Sequence, residues 1–133
     1  MTSTITYKGD LECELVHNAS HTSIFTDAPV DNYGKGSTFS PTDLVCAAAA
    51  ACMMSIMGIA ANRHNLDLKN TKIDVQKIMA SDPRRISEMK IEIYFNANNF
   101  TDADKKILEH MAMHCPVLES LHPSIKKEIN FHW

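Results

Sequence analysis

Over the first 27 residues, apolar and polar side chains alternate in short runs. Ile5 to Tyr7 ends on the turn residues Gly9-Asp10. Leu11, Cys13, Leu15 and His17 alternate with Glu12, Glu14 and Val16, and Asn18-Ala-Ser20 leads into Thr22–Phe25. A period of two with turn residues between the runs predicts a three-strand meander. Asp27 to Ser40 then has no periodicity, a length of connection that compact domains usually reserve for function or cover. The pattern changes at Ser40. Ser40 suits a helix N-cap, Pro41 the first helical position and Asp43 the third, where a carboxylate meets the positive helix end. The 18 residues from Leu44 to Ala61 carry no formal charge. They predict a helix running to about Asn62-Arg63-His64.

Two longer strands are predicted next, Thr71–Met79 and Ile86–Asn96, joined by the turn Ser81-Asp-Pro-Arg-Arg85. In the second of these, Met89, Ile91, Ile93 and Phe95 share one face, and Lys90, Glu92 and Tyr94 the other. Thr101-Asp-Ala-Asp104 caps a second helix with Ile107, Leu108, Met111 and Ala112 on its buried side. Pro116 interrupts the chain after Cys115, Leu118–Leu121 suits one short turn, and Ile125–Phe131 a last strand. The order is βββ-α-ββ-α-β, an α+β class. With no internal repeat and no linker, residues 1–133 are expected to form a single domain.

The uncharged stretch is long enough to raise the question of a transmembrane helix. Seven of its 18 residues are the weakly hydrophobic Ala, Ser55 and Gly58 interrupt it, and no second apolar span accompanies it. It is therefore read as the central helix of a soluble domain, buried on most faces, with no membrane partner. A net charge of −3 and 7% aromatic residues argue against a nucleic-acid partner, which calls for a basic face and stacking platforms. The N-terminal residues Met1–Lys8 lack the basic-then-apolar order of a secretory signal. A cytoplasmic location with reduced thiols is expected on that basis.

Four cysteines stand at 13, 46, 52 and 115, with no C-x-x-C pair. Cys52 lies inside the central helix and Cys115 where the second helix breaks. Free cysteine often acts as a small buried hydrophobe, and that reading stands beside one of thiol chemistry. Cys46 is six helical positions from Cys52 and faces away from it, while Cys13 fits an apolar strand face. His110 and His114 share a helix face next to Cys115, at a spacing zinc sites use. Further ligands are not evident, so they are read as surface histidines and no metal is assigned. Gly34-Lys-Gly-Ser37 lacks the order of a phosphate loop, and no cofactor is expected. The pairs Arg84-Arg85, Lys105-Lys106 and Lys126-Lys127 read as solvated charge.

The element order and two segments together resemble the OsmC/Ohr family, the osmotically inducible protein C and organic hydroperoxide resistance group. The segment Phe39-Ser-Pro-Thr-Asp-Leu…Cys52 is similar to the family's (S/N)-P-x-x-L opening of the central helix with its cysteine. His114-Cys-Pro-Val-Leu-Glu-Ser-Leu121 is similar to its C-P-V segment, and Thr26-Asp-Ala-Pro29 and Gly34-Lys-Gly36 fit the OsmC-like branch. The resemblance implies an intertwined homodimer with antiparallel sheets around the central helices, and a peroxiredoxin-like hydroperoxide reductase. It matches Cys52 to the peroxidatic cysteine and Cys115 to the resolving one. The expected substrates are organic or hydrogen peroxides, and the resetting partner is an external dithiol. A thiol held mid-helix suits attack, which needs a fixed geometry. A thiol at a helix break suits resolution, which needs movement.

The peroxidase branch holds its thiolate with an Arg from the N-terminal strands and a Glu near the start of the central helix. This chain has no Arg before Arg63, and Thr42 stands in the Glu position beside Asp43. Lys35, Arg84 and Arg85 are the candidate replacement cations, needed because the thiolate is the nucleophile. The alternative reading is a non-catalytic dimer of the same fold that binds a small apolar ligand, with Met53, Met54, Met57, Met111 and Met113 as lining.

Overall fold

The computed structural model describes residues 1–96 and 99–133. It divides into two compact units, Met1–Val45 and Cys46–Trp133. In the first, strands β1 (Ser3–Gly9), β2 (Glu12–His17) and β3 (Ser23–Asp27) form an antiparallel sheet in the order β1-β2-β3. The meander expected from the period-two pattern is therefore present. Tyr7 pairs with Cys13, and Cys13 with Thr26. At the first hairpin Asp10 and Leu11 both take positive φ, 50° and 65°, the backbone of a two-residue turn matched to strand twist. Ile5, Tyr7, Ile24 and Phe25 remain about half exposed.

The connection after β3 folds around a buried carboxylate. Asp27 Oδ2 accepts hydrogen bonds from the Ser37 amide (2.9 Å) and hydroxyl (2.8 Å). These bonds, helped by the Lys35 amide and ammonium, hold its carboxyl below the usual range. Val30–Asn32 forms a 3-10 turn, and Gly34 lies so close to the Ala28 carbonyl that a Cβ there would sit 1.6 Å from its oxygen. Gly34 thus serves backbone approach, while Gly36 takes a positive φ of 62°.

Helix α1 (Pro41–Arg63) begins in the first unit and continues into the second. Ser40 and Asp43 close its N-terminus reciprocally. The Asp43 amide donates to Ser40 Oγ (3.1 Å), and the Ser40 amide donates to Asp43 Oδ2 (2.9 Å). Ala49, Met53, Met57 and Ala60, spaced four, four and three apart, form its buried face. The expectation of burial on most faces is not met within the chain. Val45, Ala48, Ala51, Ser55 and Ile59 form an exposed stripe on another side, because one layer can cover only one face of a helix. By length and composition α1 could cross a membrane, and its buried face instead enters the core of the second unit.

That core is built on a second sheet of β4 (Lys72–Ala80), β5 (Arg85–Tyr94) and β6 (Lys126–His132), with β5 central. Met89, Ile91 and Ile93 point inward with no exposure and join Met53, Met57, Leu108, Ala112 and Cys115. Ile86, of opposite parity, is also buried. The register slips by one residue between the pairs Ile78–Glu88 and Met79–Ile86, a bulge at Ser87 that turns Ile86 inward. Antiparallel pairing, expected for both sheets, holds for the first sheet and for β4 with β5. Strand β6 runs parallel to β5. The reason is the connection: α2 (Asp102–Met113) and α3 (Pro116–Ser120) carry the chain back, as a parallel neighbour requires.

Helix α3 starts earlier than the turn expected at Leu118, because Pro116 occupies the first helical position with its φ already set. At the chain's end Trp133 stacks on Phe95 with ring centroids 3.9 Å apart, and its Nε1 donates to Glu109 of α2 (3.2 Å).

The start of α2 offers a direct test. Thr101 Oγ1 accepts the Asp104 amide, and Asp104 accepts the Thr101 amide (2.9 Å). Thr101→Ala should cost about 1 kcal/mol in urea unfolding. The double variant with Asp104→Ala should cost less than the sum of the two, since both remove one reciprocal cap.

Candidate functional site

Cys52 and Cys115, 63 positions apart in sequence, meet in the second unit. Cys52 packs against the buried cluster that contains Cys115, close enough for the two thiols to influence one another electrostatically, and no disulfide joins them. Two separate local features make the encounter. On α1, Cys52 precedes the fully buried Met53 by one residue, so it stands at the edge of the helix's inward face and is partly exposed. Cys115 follows the C-cap of α2, His114, and opens α3. Its backbone is extended (φ −74°, ψ 146°) as the N-cap of α3, the conformation favoured in the residue before proline. Its side chain is completely buried.

The surroundings act differently on the two sulfurs. Burial, the first cause, pushes the Cys115 thiol above its ordinary pKa, and the neighbouring Cys52 thiol pushes it the same way. The amides of Leu118 and Val117 face the Cys115 sulfur and oppose the rise, without closing a geometric cap hydrogen bond. Cys115 is therefore the fully buried member of the pair and Cys52 the more exposed one.

The other expected site residues are distributed over both units. Thr42 Oγ1 lies 3.2 Å from Ser40 Oγ, and Asp43 belongs to the cap of α1. Lys35 Nζ lies 3.8 Å from Asp10 and 3.7 Å from Glu12, on the first unit. Arg85 closes the β4–β5 turn by donating to the carbonyls of Pro83 (3.0 Å) and Ser81 (3.3 Å). Arg84 is exposed in the same turn. Of the five methionines, Met53 and Met57 are fully buried core, Met54 and Met111 pack against it and Met113 is exposed.

Sequence reasoning missed Asp27 as the anchor of the 28–39 connection, and the Val117 and Leu118 amides beside Cys115. The first left no signal, because a buried Asp reads like any turn Asp. The second was signalled by Cys-Pro, which starts a helix and turns its first amides toward the preceding side chain. Among the described residues no group of three or more His, Cys, Asp or Glu side chains could hold a metal ion.

Two three-stranded sheets with a long central helix, in an α+β chain, define the fold class. The OsmC-like protein family profile matches residues 34–130, and this chain belongs to that family. A solved protein from Psychrobacter arcticus 273-4 is 46% identical, with a TM-score of 0.96 over 99% of this chain and 96% of that one. It is described, provisionally, as an osmotic stress induced and detoxification response protein. Two further structures share the fold at lower identity. An organic hydroperoxide resistance protein OsmC from Legionella pneumophila is 14% identical, with a TM-score of 0.77 over 100% of this chain and 98% of that one. The organic hydroperoxide resistance protein OhrB of Bacillus subtilis is 15% identical, with a TM-score of 0.71 over 98% of both chains. No curated protein matches the sequence significantly.

The raised Cys115 pKa sets a sign for the pH dependence of stability. The native state holds this proton more tightly than the unfolded chain, whose thiol titrates near pH 8.5. The contribution is fully present below about pH 8.5 and declines as pH rises toward the native value. Urea unfolding between pH 7 and 10 should show a decline that is shallower in Cys115→Ala. Equal slopes in the two proteins would contradict the burial argument.

Proposed function

We propose that this protein is a thiol-dependent peroxidase of the oxidative-stress response that reduces organic or hydrogen peroxides with Cys52 and Cys115. The placement of both thiols at one core, Cys115 inside it and Cys52 packed against it, carries the reading. Cys52, partly exposed, attacks as the thiolate on the nearer peroxide oxygen. The O–O bond breaks, the alcohol or water leaves after taking up a proton, and Cys52 becomes a sulfenic acid. The Cys115 thiol then attacks that sulfur, releasing water and forming the Cys52–Cys115 disulfide. An external dithiol reduces it by exchange, in a reducing cytoplasm, and returns both thiols. Lys35, Arg84 and Arg85, from this chain or a second copy, are the candidates to favour the thiolate, with Thr42 and Asp43 at the start of its helix. The hydroperoxide resistance proteins of the same fold, and the detoxification description of the 46%-identical relative, support a peroxide as substrate.

The working unit in this reading is a homodimer. Exposed Ile5, Tyr7, Ile24 and Phe25 on the first sheet, and Val45 and Ile59 on α1, support it. A three-strand sheet gains stability by covering an apolar face. Sedimentation should give a species of twice the 14.9 kDa of one chain. Its melting temperature should rise with protein concentration, as it does where no stable folded monomer exists. A folded monomer at micromolar concentration would refute the dimer.

The chemistry is tested with one equivalent of cumene hydroperoxide followed by peptide mapping. The wild type should yield a Cys52–Cys115 disulfide. Cys115→Ser should stop at a sulfenic acid that dimedone traps on Cys52, with turnover lost. Cys52→Ser should react no faster than an ordinary free thiol. Labelling of Cys115 at undiminished rate in Cys52→Ser would reverse the roles. Peroxide consumption equal in all three proteins would leave the non-catalytic, ligand-binding alternative.

A further inference from the structure

We propose that His110 and His114 form a binding site for one divalent transition-metal ion of the imidazole-preferring class, such as nickel or zinc. The two residues are four apart at the C-terminal end of α2, on one face, and both are exposed. Their rings lie with centroids 4.3 Å apart, tilted by 35°. His114 Nδ1 lies 2.8 Å from the His110 carbonyl oxygen. A carbonyl only accepts, so Nδ1 is the donor in this contact, and in the neutral ring the lone pair is then on Nε2. His114 thereby has the arrangement of a metal-ligating histidine, in which the second ring nitrogen is tied to a carbonyl or carboxylate. The helix itself adds a favourable field, since its C-terminal carbonyls form the negative end, where a cation is stabilised.

Two imidazoles leave the remaining coordination positions to water, which the exposure of both rings allows. An ion there would bridge the last turn of α2, one residue before Cys115. It requires neutral imidazoles and would stabilise the folded chain by mass action. Nothing in this proposal depends on the peroxidase reading.

Calorimetric titration of the full chain, without an affinity tag, with nickel chloride tests the site. Nickel is chosen because it favours imidazole, and the titration is repeated with the Cys52→Ala/Cys115→Ala chain so that these two thiols cannot supply the binding. One ion per chain is expected, with a rise in melting temperature. His110→Ala and His114→Ala should each weaken binding on the order of tenfold or more, since even outer-shell partners of a ligand are worth that much. Both positions are exposed, so melting curves without metal should match the parent. His122→Ala and His132→Ala should leave binding unchanged. Absence of binding to the parent, equal binding in the His110 and His114 variants, or half an ion per chain shared between copies would each overturn the proposal.

Discussion

A 23-residue apolar helix that a single chain covers on one side is the constraint on which the rest of this fold depends. Along α1 the inward residues Ala49, Met53, Met57 and Ala60 enter one continuous core with Met89, Ile91 and Ile93 of β5. Burying a side chain of Met or Ile size contributes roughly 1.5–3 kcal/mol relative to leaving it in water. The helix is thereby fixed in rotation, and that rotation decides what every other position on it can do. Cys52 is the consequence that matters for chemistry. It borders the inward face without belonging to it, so its sulfur touches the interior and retains a partly exposed edge.

The second half of the chain answers this placement. An antiparallel β6 would have needed only a short turn after β5. The parallel arrangement requires the longer return through α2 and α3, and the break between those helices holds Cys115. Leu108 and Ala112 bury the inner face of α2 while Phe95, Phe100 and Trp133 pack at the sheet's end. Proline at the start of α3 stops α2 from continuing through Cys115 and keeps the cysteine backbone extended. Full burial then favours the neutral thiol, whereas a sulfur at the edge of α1 meets solvent. Two chemically identical side chains thus stand in different surroundings, one fully buried and one at an exposed edge.

Much of this was legible in the residues. The alternation of the strands, the Ser-Pro-Thr-Asp start of α1, the Thr101–Asp104 cap and the Cys-Pro break are local signals, each set by contacts within a few residues. The two cysteine-bearing segments were readable as a pair through their resemblance to a family. The sequence also placed Lys35, Arg84 and Arg85 as cations without assigning them partners. The fold gives Lys35 to Asp10 and Glu12, and Arg85 to the carbonyls of its own turn.

What the sequence determined by itself is thus the identity and local conformation of the elements, because hydrogen bonding along the backbone and side-chain periodicity act over short spans. The tertiary structure alone decided the parallel pairing of β6, the burial of Asp27, the one-sided cover of α1 and the meeting of Cys52 with Cys115. Each is a relation between residues far apart in the chain. Strand direction is set by the path of the connection, and exposure by which surfaces happen to pack. A helical pattern in the sequence states which residues share a face, but not how much of that face a neighbouring layer will reach.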